Sequence, residues 1–145
     1  MDENNPVVKL CAEGMQAEGE GRPEVARELY ERAWAMSKDG FEASAAAHYL
    51  ARRQPSAEEA FRWNKEALER ADAAVAAADE RVEGFYPSLY LNMGKSHEDL
   101  GDLGGARRCY ETAAKKAEDL PDDGYGTLVR RGIKGGLSRI GRKEE

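Results

Sequence analysis

A chain of 145 residues fits one domain and is long enough to bury a continuous core without disulfides or metals. It is 41% hydrophobic and 34% charged, and the apolar residues recur at helical spacing, which excludes a wholly disordered chain. The formal net charge of -6 argues against general nucleic-acid binding, which needs basic surface to displace counterions, and no apolar stretch approaches the length of a membrane span.

The predicted elements follow one another closely. Asn5-Pro6 reads as an N-cap followed by proline at the first helical position. Val7, Val8, Leu10, Cys11 and Met15 then form an apolar stripe, and Gly19 and Gly21 end the helix. Pro23 opens a second helix carrying Val25, Ala26, Leu29, Tyr30, Ala33 and Trp34, closed by Lys38-Asp39-Gly40. The third runs from about Phe41 to Arg53, with Ala47, Tyr49 and Leu50 among its packing residues, and Gln54-Pro55 breaks it. Ser56-Ala57-Glu58-Glu59 has the form of a capping box. The helix behind it carries Ala60, Phe61, Trp63, Ala67 and Leu68 and is expected to continue through the alanines to about Asp79. Pro87 begins or kinks a fifth helix with Leu89, Tyr90, Leu91 and Met93. Gly101-Asp102 separates it from a sixth with Leu103, Ala106, Tyr110, Ala113 and Ala117. After the turn Leu120-Pro121-Asp122-Asp123-Gly124, Val129, Ile133, Leu137 and Ile140 mark a seventh. Gly132, Gly135 and Gly136 inside it weaken a helix by roughly 1 kcal/mol each, so they mark either close docking or a frayed end. No segment alternates with period two, so no sheet is expected.

The chain repeats. Tyr90-x-x-Met93-Gly94-x-x-His97, Gly101, Ala106-x-x-x-Tyr110 and Ala113 match Leu10-x-x-Glu13-Gly14-x-x-Ala17, Gly21, Ala26-x-x-x-Tyr30 and Ala33. A looser block has His48, Pro55, Ala60, Asn64 and Ala67. From Gly14 to His48, and from Ala26 to Ala60, is 34 residues, whereas Ala60 to Ala106 is 46. This pattern resembles the tetratricopeptide repeat over about residues 7 to 118. The resemblance implies an all-α fold, a right-handed superhelix of three helical hairpins (about 6-37, 41-79 and 83-118) and a capping helix (about 123-141), in one domain over 1-145. Small residues at Gly14, Ala26, Gly94 and Ala106 would bring the helices of a hairpin close, with Tyr30, Ala33, Tyr110 and Ala113 packing the next one. The twelve-residue excess is expected to lengthen the second helix of hairpin two to about 36 Å (Ser56 to about Asp79 at 1.5 Å per residue), an overhang that sets Phe85 and Tyr86 beside one end of the groove as a lid or partner contact.

Little in the sequence suggests catalysis. Neither His48 nor His97 belongs to a zinc-enzyme motif, and His97-Glu98-Asp99 are adjacent on a helix, so they point in different directions. Gly101-Asp102-Leu103-Gly104-Gly105 lacks the strand and lysine of a phosphate loop. No metal, cofactor or catalytic residue is therefore assigned. Cys11 and Cys109 form no paired motif, and the acidic start Met1-Asp2-Glu3 has no basic-then-apolar signal, so a reduced, cytoplasmic setting is expected. The tail gathers Arg130, Arg131, Lys134, Arg139, Arg142 and Lys143: cations at a helix C-terminus, where the dipole favours them, or a patch for an anionic partner.

In the tetratricopeptide superhelix the first helix of each hairpin lines a concave groove. Ala45, Tyr49 and Arg52, with Arg53 beside them, share one face of the third helix; Ser88, Leu91, Asn92 and Lys95 share the corresponding face of the fifth. The resemblance thus implies a noncatalytic scaffold whose groove binds a protein or peptide, with Tyr49, Arg52, Arg53, Asn92 and Lys95 suited to an acidic group. Chaperone-binding members carry a lysine-asparagine carboxylate clamp, but here the first helix offers Cys11, Ala12 and Met15 instead. The alternatives are a homodimeric self-association module, through Phe41, Trp63, Phe85 and Tyr86 as an exposed patch, and an enzyme with no recognisable motif.

Overall fold

The computed structural model describes residues 4-144; the acidic start Met1-Asp2-Glu3 and the terminal Glu145 lie outside the described residues. Within them the chain is all-helical, without a strand. The helices are α1 (Pro6–Gly19), α2 (Pro23–Met36), α3 (Gly40–Ala51), α4 (Ala57–Ala76), α5 (Tyr86–Asp99), α6 (Leu103–Lys116) and α7 (Gly124–Glu144), with short 3-10 turns at Glu80–Phe85 and Ala117–Asp119. None is long and apolar enough to cross a membrane. The chain divides into two compact units, Met1–Val82 and Glu83–Glu145. The first contains α1 to α4 and the second α5 to α7.

Short polar residues start the helices as their positions predict. Asn5 accepts from the amides of Val7 (2.8 Å) and Val8 (3.2 Å), Ser56 from Glu59 (3.1 Å), Asp102 from Gly105 (2.9 Å) and Asp123 from Gly126 (2.8 Å). Each satisfies an amide that the first helical turn leaves orphaned. At the start of α3 the Glu42 amide donates to Asp39 (2.8 Å), while the Glu42 carboxylate accepts from the Lys38 amide and from Asn5 Nδ2, both at 2.9 Å. That explains a nearly buried glutamate in a helix where every residue from Phe41 to His48 is buried.

The hairpins in the two units close alike. Gly21 and Gly101 take positive φ, +75° and +83°, which glycine adopts without steric cost. The amides of Arg22 and Asp102 then reach back to the carbonyls of Ala17 and His97, each at 2.9 Å, so helix-end acceptors are satisfied at equivalent places 80 residues apart. Across each hairpin a ring lies on a glycine. A Cβ on Gly14 would run into the Tyr30 ring, and one on Gly94 would stand 2.7 Å from Tyr110. Tyr30 also stacks on Tyr49 of α3, with ring centroids 5.4 Å apart. Tyr110 is met from α7 by Gly136, while a Cβ on Gly132 would stand 2.9 Å from Leu91. Two of the three α7 glycines are therefore docking positions and not signs of fraying.

The expected long overhang is not formed. α4 stops at Ala76, about 30 Å from its start. Ala78 turns to φ +61°, and the Asp79 amide bonds back to the Ala74 carbonyl at 2.9 Å. Alanine propensity is outweighed by the polar anchor that follows. Asp79 accepts from the Arg81 amide (3.1 Å) and its Nε (2.8 Å). The same guanidinium reaches Asp39 at 2.9 Å and covers the Phe41 ring at 4.3 Å. Phe41, Phe85 and Tyr86 are buried and Trp63 is half-buried. The aromatic lid and the exposed aromatic patch behind the self-association alternative are both corrected by this burial.

Candidate binding faces and a repeated tyrosine-glutamate cluster

The five residues expected to bind fall in different units: Tyr49, Arg52 and Arg53 in the first, Asn92 and Lys95 in the second. Tyr49 is half-buried, stacked on Tyr30 and edge-on to His48. Arg52 and Arg53 both converge on Glu18, at 3.5 Å and 3.0 Å. The Arg53 contact is an ion pair without the alignment of a hydrogen bond. In the second unit Lys95 pairs with Asp99 at 2.6 Å one turn further along α5, both side chains being exposed. Of the rest of that face, Ser88 lies 2.7 Å from the Tyr125 hydroxyl, which bonds the Gly84 carbonyl at 2.9 Å, and Leu91 lies under Gly132. α7 thus covers part of the α5 face and leaves Lys95 at its edge.

Sequence reasoning missed Glu18 and Glu98. Each lies one turn after the helix-crossing glycine (Gly14, Gly94) and twelve residues before the tyrosine (Tyr30, Tyr110). That shared spacing was a legible signal, hidden because an isolated glutamate on a charged chain reads as solvated surface. Tyr30 donates to Glu18 at 2.7 Å, and Tyr110 donates to Glu98 at 2.8 Å. Two cations from a third helix or its end complete each cluster: Arg52 and Arg53 on Glu18, Arg139 (2.9 Å) and Lys143 (3.0 Å) on Glu98. Glu98 is only 5% exposed. Burial pushes its carboxyl up, but the bonds from Arg139, Tyr110 and Lys143 more than offset that and hold it at about 2. Burial and the adjacent carboxylates push the hydroxyls of Tyr30 and Tyr110 well above their ordinary value.

The remaining titratable groups take equally specific places. His97, Glu98 and Asp99 find three separate partners, Asp102 (3.1 Å), Tyr110 and Lys95. His48 is buried, and loss of solvent, with Arg52 nearby, lowers it to about 3, so it is neutral at pH 7. Cys11 is a buried free thiol raised to about 12 by burial. The basic tail is partly internal: Arg139 and Lys143 serve Glu98, and Arg130 donates to the carbonyls of Ala117 (3.1 Å) and Leu120, where α6 and its 3-10 turn end. Arg131 and Lys134 face solvent. No protein family, curated protein or solved structure matches this chain.

Proposed function

We propose that the chain is a noncatalytic tetratricopeptide-type scaffold that binds protein or peptide segments carrying acidic groups, through the faces of its hairpins' first helices. The observation that carries this reading is the twice-used hairpin: glycine under tyrosine and tyrosine to glutamate at equivalent positions 80 residues apart, with two cations from the third helix or its end closing on each glutamate. A rigid hairpin closed by a third helix presents its first helix as a fixed surface. On α3 and its end that surface offers Tyr49, Arg52 and Arg53; on α5 it offers Asn92 and Lys95. Lys95 is held by an exposed pair, worth about 0–1 kcal/mol, and Arg52 is itself nearly half exposed while its partner Glu18 also has Arg53, so an incoming carboxylate can engage either cation through charge-assisted hydrogen bonds.

Affinity capture from the native host tests this, comparing the wild type with Arg52→Glu and Lys95→Glu. Loss of the same partners in either variant is expected. An unchanged partner set would remove these faces from the function.

A further inference from the structure

In the first unit two indoles line the crevice beside α2 and α3. Trp34 of α2 meets Trp63 of α4 edge to face, centroids 5.0 Å apart, over Leu50 of α3. Arg70 of α4 lies over the Trp34 ring at 5.5 Å. An α-helix therefore seats one large aromatic side chain in that crevice. In the second unit α6 and α7 take the parts of α2 and α3, and among the described residues no helix of that unit does what α4 does in the first. The residue 80 positions after Trp34 is Ala114. It lies in an open groove of about 360 Å³ whose walls include Ala117, Ile133 and Leu137, with Glu118, Arg130 and Lys134 at the rim. One small alanine, Ala114, stands where the first unit has the Trp34 indole, so the groove has room for a side chain from elsewhere.

Charge indicates what would supply it. α7 carries six cations against one acid. Arg130 is occupied by carbonyls, while Lys134 is exposed at the groove. α4, the helix that lines the equivalent crevice, carries Glu58, Glu59, Glu66, Glu69 and Asp72 against Arg62, Lys65 and Arg70. We propose that the α6–α7 groove is a second binding site, for an acidic amphipathic helix of a partner protein that inserts one aromatic side chain over Ala114 and sets its acids against Lys134. This site is separate from the first-helix faces, so either can fail without the other.

The probe is a fluorescently labelled peptide of residues 56–76, the chain's own acidic helix, titrated into the full-length protein and followed by anisotropy. Saturable binding below about 1 mM is expected. Ala114→Trp, which fills the groove, should weaken it by about tenfold or more. Lys134→Glu, on an exposed position, should weaken it by about threefold to tenfold. Replacing Trp63 by alanine in the peptide should match the Ala114→Trp loss. Circular dichroism of each variant establishes that it is folded, and Lys134→Glu keeps the test open if Ala114→Trp is not. No saturation, or binding indifferent to the folded variants and to the peptide's tryptophan, would overturn the proposal. So would a dimer in sedimentation that Ala114→Trp or Lys134→Glu dissociates, since the groove would then hold a second copy of this chain.

Discussion

Glu98 shows how much a single side chain organises here. It joins α5 to α6 through Tyr110 and to α7 through Arg139 and Lys143. Its carboxyl lies at about 2 against an ordinary 4.5. The unfolded chain therefore takes up this proton first on acidification, and the contribution of Glu98 is whole above pH 4.5 and lost as pH falls towards 2. The shift corresponds to about 3 kcal/mol. Denaturant unfolding of Glu98→Gln should show most of that loss at pH 7 and a flatter profile below pH 4.5. His48 acts in a different window. Lowered to about 3 from 6.5, it stays neutral when folded and protonates when unfolded, so stability falls as pH drops below 6.5. Between pH 7.5 and 4.5 the wild type should lose up to about 2–3 kcal/mol from this group, and His48→Gln should remove that slope. Neither role was legible in the sequence, because burial by distant helices sets both.

At the scale of the helix, glycine has opposite meanings at neighbouring positions. Gly94 and Gly136 lie against the Tyr110 ring, whereas a Cβ on Gly135 would approach only the flexible tip of Arg139, at 3.4 Å. Gly94→Ala and Gly136→Ala should each destabilise by about 1–3 kcal/mol despite the helix propensity gained. Gly135→Ala should be neutral or stabilising by up to about 1 kcal/mol; thermal unfolding of the three variants separates the cases. Caps and turn glycines were readable because each depends on residues within a few positions of one another, and the hairpin partners because their spacing repeats along the chain. The end of α4 was not. Alanine favours continuing the helix, and the turn is fixed by Arg81 reaching Asp39 and Phe41, some forty residues back. Amide exchange should accordingly be slow at Ala71 and Ala74, which are buried, and faster at Ala77 and Ala78, which are exposed in the closing turn.

Across the whole molecule, charge divides with the units. The first carries eleven cations and seventeen acids, the second eleven of each, so the net charge of -6 lies in the first. On the proposed reading an acidic ligand would be drawn to local cations and not to the chain at large, which makes Arg52, Lys95 and Lys134 the positions to test. The sequence indicated the faces carrying Arg52 and Lys95 through helical spacing, but not that each cation already has an acid beside it, since Glu18 lies 34 positions from Arg52. The most direct measurement is site-specific photocrosslinking in the native host, with a benzophenone side chain at Arg52 or Lys95 and, for comparison, at the exposed second-helix positions Arg32 and Arg108. A scaffold that binds by its first helices should yield discrete protein adducts from Arg52 or Lys95, competed by an excess of the unlabelled chain, and none from Arg32 or Arg108. Adducts of equal yield at all four positions, or none at Arg52 and Lys95, would contradict it.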